Sequence, residues 1–115
     1  VVEMLLSAGG NPNRRGKRQE TALMLAAQRG HVDVLRVLLG RGAQATAVDQ
    51  RGWTALHFGA FAGHAASVRA ILTATAPSAR SSLLELRTGK GETALALAAF
   101  GRKEECCRAL MDYGA

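Results

Sequence analysis

Three histidines, two adjacent cysteines and a dense basic run are the side chains of this 115-residue sequence with the means to do chemistry. His31 and His64 each follow a glycine, 33 positions apart, and His57 follows Leu56. A metal centre needs three or four converging ligands. His31 and His64 occupy equivalent places in a repeated pattern, with no third ligand suggested, so internal hydrogen bonding is the expected role. Cys106 and Cys107 are too few for a disulfide framework and lack zinc-ligand spacing. They fit a reducing, intracellular compartment. In repeat register they fall on Val34 and Leu35, where small buried thiols are the expectation. A reactive vicinal pair would need exposure and a lowered pKa, which neighbouring Arg102, Lys103 and Arg108 would favour. No serine nucleophile elbow, paired-carboxylate arrangement or phosphate-binding loop is present, so no catalysis and no cofactor are expected of this sequence.

Binding chemistry is better represented. Arg14-Arg15-Gly16-Lys17-Arg18 is the sharpest local charge feature, and Arg51, Arg87 and Lys90 follow at similar repeat positions. Against Glu20, Asp49, Glu85 and Glu92, these seven basic residues leave a net charge of +3 in the segments between helices. Such a row suits an acidic protein or peptide; the plainer reading is a solvated, solubilising edge. Nucleic acid is disfavoured, because no aromatic residues interleave the basic ones and no recognised nucleic-acid motif occurs. Trp53, Phe61 and Phe100 are the other candidates, since Trp and Arg dominate interface energies.

The elements that must position these side chains come from an internal repeat. Thr21-Ala22-Leu23-Met24-Leu25-Ala26-Ala27 recurs 33 residues on as Thr54-Ala55-Leu56-His57-Phe58-Gly59-Ala60. It recurs again after a further 39 as Thr93-Ala94-Leu95-Ala96-Leu97-Ala98-Ala99. A period of this size signals stacked supersecondary units. Hydrophobic residues make up 48% of the chain and aromatics only 4%, a composition suited to close-packed helices. The net charge is +6, and no apolar run approaches the ~20 residues of a membrane span. In the first copy the pattern predicts a short helix over 22–29, a Gly-His break and an amphipathic helix over 32–39, with Gly42 as a left-handed stop. In the second copy Pro77 should end the preceding helix. The six extra residues near 73–82 then read as an inserted surface loop; its stretch Ala76-Pro77-Ser78-Ala79-Arg80-Ser81-Ser82 offers phosphorylatable hydroxyls beside Arg80, and the plainer reading is a tolerated insertion. The chain begins at Val1 inside what reads as the second helix of a leading repeat. This gives 1–15 as a truncated leading unit, 16–48 and 49–87 as full repeats, and 88–115 as a third repeat truncated at its end.

The pattern resembles the ankyrin repeat, whose units read Thr-Pro-Leu-His-x-Ala-Ala, Gly-His, a Leu-rich helix, Gly-Ala and an Asp-x-x-Gly turn. Asp49-Gln50-Arg51-Gly52-Trp53-Thr54-Ala55-Leu56-His57 carries it in the second copy; Ala26-Ala27, Gly30-His31 and Gly42-Ala43 carry it in the first. Ala22, Ala55 and Ala94 stand where the family has Pro. Arg102-Lys103 replaces Gly-His, and Gly16 and Thr88 replace the turn Asp, which predicts an altered inter-helix turn in the third copy and looser fingers in the first and third. The resemblance implies an all-α solenoid of helix–turn–helix pairs with β-hairpin or loop fingers, with histidines that hydrogen-bond backbone within and between repeats. It also implies a concave partner-binding face.

Onto that face and the finger tips fall Lys17, Arg18, Arg29, Arg51, Trp53, Phe61 and Lys90, the expected contacts. The implied function is protein–protein interaction, as scaffold or targeting segment of a larger intracellular, cytoplasmic protein; the basic run leaves the nucleus as the alternative. Two further readings stand beside it. One is electrostatic binding of nucleic acid or anionic lipid, which would fall steeply with salt. The other is the regulatory arm of an enzyme whose catalytic domain lies elsewhere.

Overall fold

A computed structural model describes residues 21–114. The leading half-repeat lies outside the described residues, as do Gly16, Lys17 and Arg18 at the start of the next repeat. Among the described residues seven helices follow one another: α1 Ala22–Arg29, α2 Val32–Gly40, α3 Ala55–Ala62, α4 Ala65–Ala74, α5 Pro77–Glu85, α6 Ala94–Phe100 and α7 Glu104–Asp112. They pair as α1/α2, α3/α4 and α6/α7. Like packs on like from repeat to repeat, with α1 on α3 on α6 in one row and α2 on α4 on α7 in the other.

The recurring threonine starts the first helix of each pair. The hydroxyls of Thr21, Thr54 and Thr93 accept from the backbone N–H of Met24, His57 and Ala96 at 3.3, 3.3 and 3.1 Å. This satisfies one of the donors that every helix N-terminus leaves open. Met24 Sδ and His57 Nδ1 reciprocate by accepting from the Thr21 and Thr54 N–H, which completes a capping box. Ala96 has no atom with which to do so.

Gly30 and Gly63 end α1 and α3 in the left-handed conformation, at φ 73° and 81°. In the third repeat Gly101 has φ −82°, and Arg102 takes the left-handed position at φ 56°. The turn expected to be altered by Arg102-Lys103 keeps its left-handed bend in register, with a side-chain-bearing residue at the position of Gly30 and Gly63.

The core lies between the two rows and between successive repeats. Leu23, Leu35, Leu38, Leu56, Val68, Ile71 and Leu110 are all fully buried. Alanines at Ala27, Ala60 and Ala98 let the first helices approach closely.

The segment expected as an inserted loop is instead mostly helix. Helix α4 does end ahead of Pro77, at Ala74, but Pro77 then opens α5 at its first turn, where a missing N–H costs nothing. Ala76 is extended before it, as a residue preceding proline prefers. Leu83 and Leu84 bury the far end of α5. Arg80 anchors its start: Nε donates to the Leu72 carbonyl at 3.0 Å, and the guanidinium lies 4.8 Å from the centre of the Tyr113 ring. The extra residues thus close the end of α4 and touch the third repeat.

Candidate functional site

The fingers before α3 and α6 are tight turns, each held by one buried side chain. Asp49, 7% exposed, accepts from the N–H of Arg51 at 2.9 Å and of Trp53 at 3.0 Å. Backbone bonds from Asp49 N to Trp53 O and from Gly52 N to Asp49 O complete the turn. In the third repeat Thr88 does the same work through its hydroxyl, which accepts from Lys90 and Glu92 N–H at 3.2 and 3.3 Å. This finger, expected to be looser, keeps its pattern: its side-chain bonds are longer, but its backbone bonds, Thr88 N to Glu92 O and Gly91 N to Thr88 O, are 2.8 Å.

The two turns are joined, because Gly89 N donates to Arg51 O at 2.8 Å. Gly52 permits this approach: at φ 79°, a Cβ there would stand 2.8 Å from Gly89 N.

On this platform stands a cluster of aromatic rings with one cation. The Trp53 ring lies 5.1 Å from Phe58 and 5.3 Å from Phe61, the latter edge-on, which are favourable separations for aromatic pairs. The Arg51 guanidinium sits over Trp53 at 4.8 Å and over Phe58 at 5.6 Å, and it pairs with Asp49 at 3.5 Å. Phe58 is buried and Trp53 half-buried, whereas Phe61 is 52% exposed and the Arg51 side chain 60% exposed. The outer edge of the cluster therefore faces solvent, while its base is packed. Trp53 packs within its own repeat, and Arg51 is already oriented by its ring and carboxylate neighbours.

Of the residues singled out from sequence, Arg51, Trp53 and Phe61 come together here, and Lys90 is exposed on the adjoining finger turn. Arg29 is exposed in the last turn of α1, apart from the cluster. Asp49 holds the Asp-x-x-Gly turn that its sequence marks. One participant was not anticipated. Phe58 sits in the repeat core, where nothing in the local pattern separates a packed ring from a presented one. Phe100, 87% exposed, and Leu25, 43% exposed, extend the apolar surface along the first-helix row.

The histidines divide. His57 is 1% exposed; its Nδ1 meets the Thr54 hydroxyl at 2.8 Å, and its Nε2 meets the carbonyls of Leu86 at 3.0 Å and Glu92 at 3.2 Å. Two carbonyls at Nε2 require a proton there, which assigns the neutral tautomer with Nδ1 as acceptor. Burial lowers the pKa of His57 below the ordinary 6.5, against the smaller opposing pull of those carbonyls and of Glu92 and Asp49. His31 and His64 differ from expectation: among the described residues neither ring forms a hydrogen bond, and the His64 ring instead covers Gly30.

Cys106 is buried with Sγ 3.8 Å from the Gly59 carbonyl, and burial raises its pKa. That favours the protonated thiol and leaves the reactive-pair reading without one of its members. Among the described residues no group of three His, Cys, Asp or Glu could hold a metal ion, and no helix is long and apolar enough to cross a membrane.

Comparison with known proteins agrees with this architecture. The family model described as ankyrin repeats in three copies matches residues 1–81. The chain is 38% identical over 117 residues to the ankyrin repeat and KH domain-containing protein mask-1 of Caenorhabditis elegans, covering all of this chain and 4% of that protein. It is 37% identical over 111 residues to human ankyrin repeat domain-containing protein 63, covering 95% of this chain and 28% of that protein. To the E3 ubiquitin-protein ligase XBAT33 of Arabidopsis thaliana it is 32% identical over 137 residues, covering all of this chain and 27% of that protein. The chain spans about a quarter of the length of its plant relatives. Ankyrin repeats are protein-interaction modules without catalysis of their own, and these relatives carry them within larger proteins. With the repeat sequence, the paired-helix stack and the family match all in register, the chain belongs to the ankyrin-repeat family.

Proposed function

We propose that this stack is a scaffold or targeting segment of a larger intracellular protein, binding a protein partner on the first-helix face and the finger turns. The observation that carries the reading is the Arg51–Trp53–Phe61 cluster. Its base is packed, its edge is exposed, and its cation is held in place by Asp49 and two rings. A pre-ordered aromatic and guanidinium pair loses little side-chain freedom on binding, which is where a rigid surface gains affinity. Arg51 and exposed Lys90 favour a partner segment with carboxylates, and Phe61 and Phe100 favour an apolar residue beside them. Arg29 extends the same surface, and Lys17 and Arg18 belong to the preceding finger by repeat register.

The ligase named among the relatives supports a second reading, in which the stack delivers a partner to a catalytic domain outside this chain. Both readings use the same face.

Affinity capture from source-cell lysate tests the proposal, comparing the native chain with a Trp53→Ala/Phe61→Ala variant at low and moderate salt. A defined protein held by the native chain at both salts, and lost by the variant, supports it. Capture dominated by nucleic acid or lipid and abolished by moderate salt overturns it in favour of electrostatic binding.

A further inference from the structure

The second helices of the three pairs carry an arginine at one register position: Arg36, Arg69 and Arg108, 33 and 39 residues apart. Their surroundings differ. Arg69 on α4 donates to the Asp112 carboxylate on α7, the next helix of its row, at 3.2 Å. Arg108 pairs with Glu105 of its own helix at 3.5 Å. Arg36 is exposed and, among the described residues, forms no ion pair, even with Asp33 one turn earlier on α2.

The repeat register gives the reason. Arg36 stands to α4 as Arg69 stands to α7, and the residue of α4 that corresponds to Asp112 is Thr73. Thr73 is exposed and uncharged, with its hydroxyl 2.9 Å from that of Tyr113. Two neighbouring positions are small as well: Ala66 stands where the other pairs have Asp33 and Glu105, and Ala74 where they have Arg41 and Tyr113. Between α2 and α4 this leaves an open hollow of about 340 Å³, bordered by Arg36, Arg69 and Thr73 and floored by Ala66, Ala70 and Ala74. One of its two cations has a carboxylate and the other has none. The hollow lies in the second-helix row, which carries none of the residues of the ring cluster.

We propose that this hollow takes a carboxylate of a protein partner, from an acidic segment that lies on the second-helix row and gives Arg36 what Asp112 gives Arg69. The Arg69–Asp112 pair is the template: an arginine on one second helix reaches a carboxylate held at the end of the next. At α4 that place is uncharged and open, so the carboxylate comes from outside the chain. The alanine floor leaves room for the incoming side chain. A Tyr113 hydroxyl that donates to Thr73 frees the Thr73 O–H to donate to the same carboxylate. Guanidinium–carboxylate bonds are the stronger, charge-assisted kind. The first-helix face stays free, so this partner binds independently of the Arg51–Trp53–Phe61 cluster.

The test places a photoreactive benzoylphenylalanine at exposed Ala66 and, separately, at exposed Ala74 of the full-length protein. Source cells are irradiated, and the cross-linked peptide is sequenced by mass spectrometry. The expected product is a segment of another protein that contains Asp or Glu, in a yield unchanged by Trp53→Ala/Phe61→Ala. Arg36→Gln is expected to lower the yield ~10-fold, the effect of losing one hydrogen bond to a charged group. Thr73→Asp should lower it as far, because the new carboxylate pairs with Arg36 and closes the hollow from within. Ser82→Asp, the same change of charge on exposed α5, should leave it unchanged. A synthetic peptide of the segment should lose affinity for the native chain to the same extent when its acids become amides. A yield unaffected by Arg36→Gln, or lowered equally by Ser82→Asp, overturns the proposal. So does a segment without a carboxylate, cross-linking to lipid or nucleic acid alone, or no cross-link from either position. Loss with Trp53→Ala/Phe61→Ala overturns the independence of the two faces.

Discussion

His57 of the second repeat binds the chain that leads into the third: its Nε2 lies 3.0 Å from the carbonyl oxygen of Leu86. With Glu92 O at 3.2 Å and Thr54 at Nδ1, the imidazole fastens its own helix start to the segment that leads into the next finger. Because burial holds His57 below its ordinary pKa of 6.5, the unfolded chain takes up this proton first as the pH falls through about 6.5. Protons bound by the unfolded state alone lower stability. The melting temperature is therefore expected to fall below pH 6.5, with the loss complete only beneath the lowered folded pKa. A His57→Gln chain, less stable at pH 7.5, is expected to show a flatter pH profile. Parallel profiles for the two proteins would contradict this role.

Asp49 organises the finger from a nearly buried position, so removing it strands two backbone donors. Asp49→Ala is expected to cost ~1–3 kcal/mol in denaturant melts. Arg51→Ala should cost less than 1 kcal/mol, because the ion pair it breaks is largely exposed on the arginine side. Equal losses for the two variants would show that the ion pair, and not the turn, carries the effect.

Arg102 holds a left-handed backbone that costs an L-residue ~1–2 kcal/mol. Glycine removes that strain but adds unfolded-state freedom. Arg102→Gly in the 115-residue chain is accordingly expected to stabilise by about 0.5–1 kcal/mol. The same change at exposed Arg36, inside α2, should destabilise by about 1 kcal/mol. A loss at Arg102 would contradict the strain.

Leu38 and Leu56 are both fully buried, one in each helix row. Truncating either to alanine is expected to cost ~2–5 kcal/mol. A melt unchanged by either would break the repeat register on which the fold rests.

Much of this was legible in the residues, because the signals are local and repeat. The threonine before each first helix and the glycine after the first two fixed 22–29 as helical, and the apolar spacing fixed 32–39 to within one residue. The extra helix at Pro77–Glu85 was not legible. Its serines and alanines lack an apolar period, and Pro77 reads equally as a helix end or a helix start. Only the burial of Leu83 and Leu84 and the reach of Arg80 back to Leu72 decide between them. Thr88 misled in the same way: its hydroxyl replaces a carboxylate in geometry, which residue type alone does not disclose. At the candidate site, repeat register put Arg51, Trp53 and Phe61 near one another, whereas the ring of Phe58 beneath them depends on packing across the finger.

The most direct measurement uses Trp53, the one tryptophan of the chain, which sits inside the proposed site. Titrating the captured partner while recording tryptophan-selective emission, with the partner's own signal subtracted, reports contact at that ring. The account predicts a saturable change in intensity or wavelength that persists at moderate salt and weakens at least tenfold in affinity with Phe61→Ala. Tight binding of the partner with unchanged Trp53 emission, and with full affinity in Phe61→Ala, would contradict it.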